Sequence, residues 1–286
     1  MNVLNAVKVK TILLIFFLQF LLSDIGLSKD DSLYFFNSNL VFVPTESSIF
    51  EAKTGVTKFI NDDYLILDIG VSMDLIGYKA NQNTFSFGVD FFTFSNLRTE
   101  NNFKFPVDAV DYFFGVNFNL KRKVSGKLDL SARLRISHVS SHLEDGHIYE
   151  RTDTIFTPFV FSEEFINLAF KNDYKINSNL SFKGLFALNY IFHSIPDMSK
   201  LSGQLGLELR NYFTKILSLY ISNNLVLASV NSESNLNENF ETGFSLGTPG
   251  RRSVNFYFDY YDGQDYRGQY YSDYLNYKGL GIRFKF

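Results

Sequence analysis

The chain has 286 residues, a formal net charge of -3 and 20% charged residues, a balance too near neutral to hold nucleic acid by neutralising phosphates. It has no cysteine, which excludes disulfides, thiolate metal sites, a cysteine nucleophile and a lipobox. Its mean hydropathy of -0.04 resembles that of a water-soluble protein, but a wall alternating apolar with polar residues averages to the same value, and 33 Phe with 17 Tyr could clothe such a wall.

At the N-terminus Lys8 and Lys10 precede an apolar run from Ile12 to Leu22, shorter than the ~20 residues of a membrane helix. The small residues Gly26 and Ser28 follow, so residues 1–28 read as a secretory signal peptide cleaved after Ser28. Residues 29–50, with Phe35, Phe36, Val41, Phe42 and Pro44, fit a periplasmic lead-in, a lumen plug or an extra edge strand. Residues 51–286 form the main domain.

In that domain apolar residues recur with period two. From Leu65 the odd positions Leu65, Leu67, Ile69, Val71, Met73 and Leu75 are apolar, against Asp68, Gly70, Ser72 and Asp74. From Val110 the even positions Tyr112, Phe114, Val116, Phe118 and Leu120 are apolar, against Asp111, Gly115, Asn117 and Asn119. A helix fits neither pattern. Further strands of this kind are expected at 51–60, 83–95, 127–143, 164–175, 180–193, 201–213, 217–229, 240–248, 253–262 and 274–286.

The connections alternate in length. Those at 79–83, 121–126, 175–179, 213–215 and 248–252 are short, whereas 97–105, 144–162, 193–200, 231–237 and 262–273 are longer; 61–63 is the exception. Short periplasmic turns and longer outer loops belong to a transmembrane antiparallel up-and-down β-barrel, all-β, here of about 12 strands. The segment Leu280–Phe286 alternates to a terminal aromatic, which the barrel assembly machinery of an outer membrane is expected to read. The expected location is therefore the cell outer membrane, with outer-membrane lipids and lipopolysaccharide as neighbours and no nucleic-acid partner.

Inward positions would carry Asp68, Asp74, Asp90, Asp111 and Asp129 on early strands, and Arg133, Arg135, Lys183, Glu208, Arg210, Asp259 and Arg283 on later ones. Opposed charges in a narrow lumen tend to pair and block it. A wide porin is thereby disfavoured.

The segment Arg133–His142 carries the candidate chemistry. His138 and Ser140 share a strand face about 6.6 Å apart, at roughly 3.3 Å per residue. Leu128, Leu130, Ala132, Leu134 and Ile136 have the same parity, so both residues point outward at the rim, near the depth of lipid ester groups. Glu164 opens the following strand at the same end. A serine nucleophile needs a base, and the base an orienting partner, which makes Ser140, His138 and Glu164 the candidate catalytic set. His142 and His147 read as solvated residues, so no metal site is assigned, and no cofactor is indicated.

This arrangement resembles the outer-membrane phospholipase A barrels and the lipid A deacylases. In those families a His-x-Ser on the outward wall is completed by an Asn or an acid. The resemblance implies that Ser140 is the nucleophile, His138 the base and Glu164 the orienter. Asn usually follows the serine there; here it is Ser141. Over most of its length the chain also resembles a bacterial family filed as a domain of unknown function and presumed to lie in the outer membrane. The shared residues are Phe105-Pro106, Asp111-Tyr112, Gly115, Arg133–Leu143, Tyr260-Tyr261-Asp262-Gly263, Gly268-Gln269-Tyr270 and Gly279-Leu280-Gly281. That likeness implies the fold and no activity. Three functions stay open: an outer-leaflet lipid acyl hydrolase, a narrow solute channel, and a structural or adhesive barrel.

Overall fold

A computed structural model describes residues 31–37, 39–143, 150–151, 154–155, 159–230, 233–248 and 252–286. The expected leader at 1–28 lies outside the described residues. The strands are β1 (Ser32–Asn37), β2 (Thr54–Phe59), β3 (Tyr64–Ala80), β4 (Asn83–Arg98), β5 (Val107–Lys123), β6 (Leu128–Leu143), β7 (Glu150–Arg151), β8 (Thr154–Ile155), β9 (Phe161–Lys175), β10 (Leu180–Ile195), β11 (Leu201–Tyr212), β12 (Leu217–Val230), β13 (Glu233–Gly247), β14 (Ser253–Gln264) and β15 (Tyr274–Lys285).

All of these except β1, β7 and β8 join one antiparallel ring, which β3 closes by pairing with β2 on one edge and β4 on the other. The fold is a closed 12-stranded barrel, as the alternation predicts. Closure leaves the ring no unpaired edge, the condition for strands to cross a bilayer. The small β7–β8 hairpin belongs to the loop between β6 and β9.

β1 lies outside the ring, hydrogen-bonded to β3 alone. It takes the same edge of β3 as β2 does: β2 pairs with Leu65–Asp68 and β1 with Asp74–Lys79. Gly77 makes this docking possible, because a Cβ there would lie 1.9 Å from the Tyr34 ring. Between the two strands the chain leaves the wall and enters the lumen, where Thr45, Glu46, Ser47, Ser48 and Glu51 are buried.

The outer surface is apolar. Ile69, Val71, Met73, Phe91, Phe114, Phe118, Phe186, Leu207, Ile221, Phe244 and Leu280 are all exposed, each on the parity that faces away from the lumen. The inward positions expected from sequence are inside: Asp68, Asp74, Asp90, Asp111, Arg133, Arg135, Glu208, Arg210, Asp259 and Arg283 are buried. Phe114→Arg, which breaks the Phe91–Phe114 ring pair (centroids 5.1 Å apart), is expected to cost about 2–4 kcal/mol in a bilayer unfolding titration. Phe103→Arg at an exposed outer turn should change stability by less than about 0.5 kcal/mol. Equal costs at the two sites would overturn the assignment of a lipid-facing wall.

The structure corrects several boundaries. The expected outer loop 231–237 is largely strand, since β13 starts at Glu233 and pairs along β12. Polar residues at Asn235 and Asn237 resemble a loop in sequence, although Leu236 between them is exposed on the outer face. β-bulges at Asp74/Ile76 and Ile191/His193 also reverse parity within β3 and β10.

Candidate functional site

The registers of three neighbouring strands bring the outward site together. His138 on β6 lies directly opposite Glu164 on β9, and Glu164 lies opposite His193 on β10. His138 Nδ1 is 2.7 Å from Glu164 Oε1, and His193 Nδ1 hydrogen-bonds Glu164 Oε2. The Ser162 hydroxyl donates to Glu164 Oε1 at 3.1 Å. One carboxylate thus holds two imidazoles and a hydroxyl. The side chains of His138 and Glu164 are 42% and 26% exposed, partly shielded yet open to an approaching lipid.

With Nδ1 donating to the carboxylate, the His138 lone pair sits on Nε2, the orientation a general base requires. Ser140 is on the same outward face, across from Ser162 on β9 and Tyr112 on β5. No hydrogen bond joins His138 to Ser140 among the described residues. The structure therefore unites the predicted base and orienter, and places the predicted nucleophile beside them without contact.

His193 is a member that sequence reasoning missed. On β10 the outward residues are Phe186, Leu188, Tyr190 and Phe192, and an uninterrupted alternation would send His193 inward. The bulge after Ile191 turns it out. His142 is also exposed on this face, its ring edge-on to Tyr112 at 5.7 Å, while His147 lies outside the described residues. Among the described residues no three His, Cys, Asp or Glu side chains are arranged to hold a metal.

The lumen beneath this site is occupied. Glu46 receives hydrogen bonds from Arg210 Nη2 at 2.6 Å, Lys285 Nζ at 2.5 Å and Asn255 Nδ2 at 3.2 Å, and Arg283 Nη1 lies 3.3 Å away. Glu51 accepts from Arg133 Nη1 at 2.8 Å and Arg135 Nη1 at 3.2 Å. The wall also pairs with itself, Arg283 with Glu241 at 2.8 Å and Lys183 with Glu208 at 3.1 Å. Opposed charges do pair in the lumen, and segment 39–53 supplies two of the central anions.

From the other end, the loop 265–273 folds inward as a lid. Gly268 N donates to Asp111 Oδ2 at 3.0 Å, Gln269 N to Ser141 Oγ at 3.1 Å, and Tyr270 Oη to Asp108 Oδ2 at 3.0 Å. Gly268 is required by close approach, because a Cβ would come within 2.4 Å of the Phe161 ring. Burial disfavours the Arg267 cation, yet the Asp265 carboxylate clamped to it at 2.5 Å raises its pKa above the ordinary value.

No curated protein matches the chain in sequence. Among solved structures, the CymD monoaromatic hydrocarbon channel is similar with a TM-score of 0.46 and 8% identity, over 80% of this chain and 74% of that one. OmpT of Vibrio cholerae gives 0.43 and 10% over 91% and 99%. The β domain of the Bordetella autotransporter BrkA gives 0.42 and 12% over 82% and 100%. The family model described as "Protein of unknown function (DUF1207)" matches residues 81–286, a stretch that includes His138, Ser140, Glu164 and His193, and the chain belongs to that family.

Proposed function

We propose that this barrel is an outer-membrane acyl hydrolase acting on lipid esters in the outer leaflet, exported by its leader and inserted by the barrel assembly machinery. The observation that carries the reading is the 2.7 Å contact between His138 Nδ1 and Glu164, on the lipid-facing side of the wall and two residues along the strand from Ser140. In the reaction, Ser140 Oγ attacks the ester carbonyl carbon while His138 Nε2 takes its proton. The imidazolium, held by Glu164, then protonates the departing alcohol and leaves an acyl-serine. Water resolves that ester in a second round, with His138 again as base. Lipopolysaccharide acyl chains and phospholipids both present esters at this depth.

Purified wild-type protein in lipid-containing micelles, with and without calcium, should cleave phospholipid or lipopolysaccharide esters and label with a fluorophosphonate. Absence of both, under both conditions, sinks the proposal. A narrow channel is the second reading. The plug and lid oppose it, and steady single-channel conductance of the wild-type protein in planar bilayers would reinstate it.

A further inference from the structure

The lumen has two layers of different chemistry. Its periplasmic half is ion-paired around segment 39–53, whereas its outer half is lined by a cluster of apolar and aromatic side chains. Between plug and lid this cluster leaves a cavity of about 150 Å³. Phe50 forms its floor, Phe113, Phe165 and Ile191 its wall, and Tyr266 and Tyr271 its roof. An engineered apolar cavity of about 150 Å³ is large enough for benzene.

The polar groups on the lining are unequal. Arg135, across from Asn167, gives its two Nη groups to Glu51 and to the Phe50 carbonyl at 2.9 Å and keeps a buried, unpaired Nε, while Asp265 is paired with Arg267. Glu163, on the inward parity of β9 between Phe161 and Phe165, makes no hydrogen bond or ion pair with any described residue. Two positions along the same face, Asn167 Oδ1 is buried and has no donor. A carboxylate and an amide oxygen without donors are costly beside aromatic rings, and the group missing from the site is a cation or a strong donor.

We propose that this cavity is a binding site for a small aromatic amine. The ring would lie against Phe113, Phe165 and Ile191, and the ammonium would donate to the Glu163 carboxylate and to Asn167 Oδ1. Aromatic rings around the ammonium add to its retention. This site is separate from the outward histidine cluster, since Glu163 and Glu164 point to opposite sides of the wall.

Isothermal titration of the folded barrel in detergent with 2-phenylethylamine and with its neutral counterpart 2-phenylethanol tests the assignment. The amine should bind at least about tenfold tighter than the alcohol, and Glu163→Gln should erase that preference while leaving the alcohol's affinity within about threefold. Ala187→Phe, which fills the cavity from β10, should exclude both ligands from a barrel that still shows the gel shift of a folded protein on heating. If Ala187→Phe does not assemble, the Glu163→Gln comparison decides alone. Equal binding of amine and alcohol to the wild type, unchanged amine binding in Glu163→Gln, or no heat from either ligand would each overturn the proposal.

Discussion

Glu46→Ala is expected to destabilise the barrel by about 3–5 kcal/mol, the cost of removing one partner from a buried ionic cluster. The residue is 5% exposed and its carboxylate gathers Arg210, Arg283 and Lys285. Without it those three cations and Lys183 lose the anion they share, so repulsion adds to the lost bonds. Glu46→Gln should cost less, because the amide keeps the shape and part of the hydrogen bonding. Urea titration of the folded, heat-modifiable form measures both. A Glu46→Ala barrel within about 0.5 kcal/mol of wild type would show that the plug is not held by this cluster. If the plug seals the lumen, Glu46→Ala combined with Glu51→Ala should also give conductance where the wild type is silent.

The second large effect is kinetic. Ser140→Ala and His138→Ala should each reduce lipid-ester hydrolysis by about three orders of magnitude or more, and the double variant should be no worse than either alone, because nucleophile and base act as one unit. Both side chains lie on the outer face and pair with no buried group, so assembly should be unaffected. Glu164→Ala should retain more rate, and His193→Ala more still, since each acts on His138 or on its partner and not on the substrate. Additive losses in the double variant, or full activity in either single variant, would remove these residues from the mechanism.

Much of the wall was legible because a barrel strand has only two faces. The parity that sent Leu67 outward and Asp68 inward also assigned Arg133 and Arg135 to the lumen and His138 and Ser140 to the lipid side. What escaped has identifiable causes. His193 was hidden by a bulge, one extra residue that reverses every side chain after it. Glu46 and Glu51 sit in a segment without periodicity, and their partners lie 82 or more residues away in sequence. The apolar outer half of the lumen was masked by runs such as Phe91-Phe92, where Phe91 is 43% and Phe92 2% exposed, so that parity says nothing about which ring faces lipid.

The split between β1 and β2 has a consequence for the order of events in assembly. The strand that finally joins β15 to β3 is reached only after the chain has made its detour through the lumen, and the detour is anchored at both ends to β3. Its anchoring ion pairs span 82 to 239 positions of sequence, from Arg133 to Lys285. Until the last hairpin exists, Glu46 lacks Arg283 and Lys285, two of the cations gathered on it. Such distant contacts are repaid late, after most of the chain's freedom has been surrendered. Sealing the cylinder thus also completes the charge pairing of its contents. A partly built barrel is an incompletely held, open-edged sheet, and the final strand pairing acts as a latch that fastens wall and contents together.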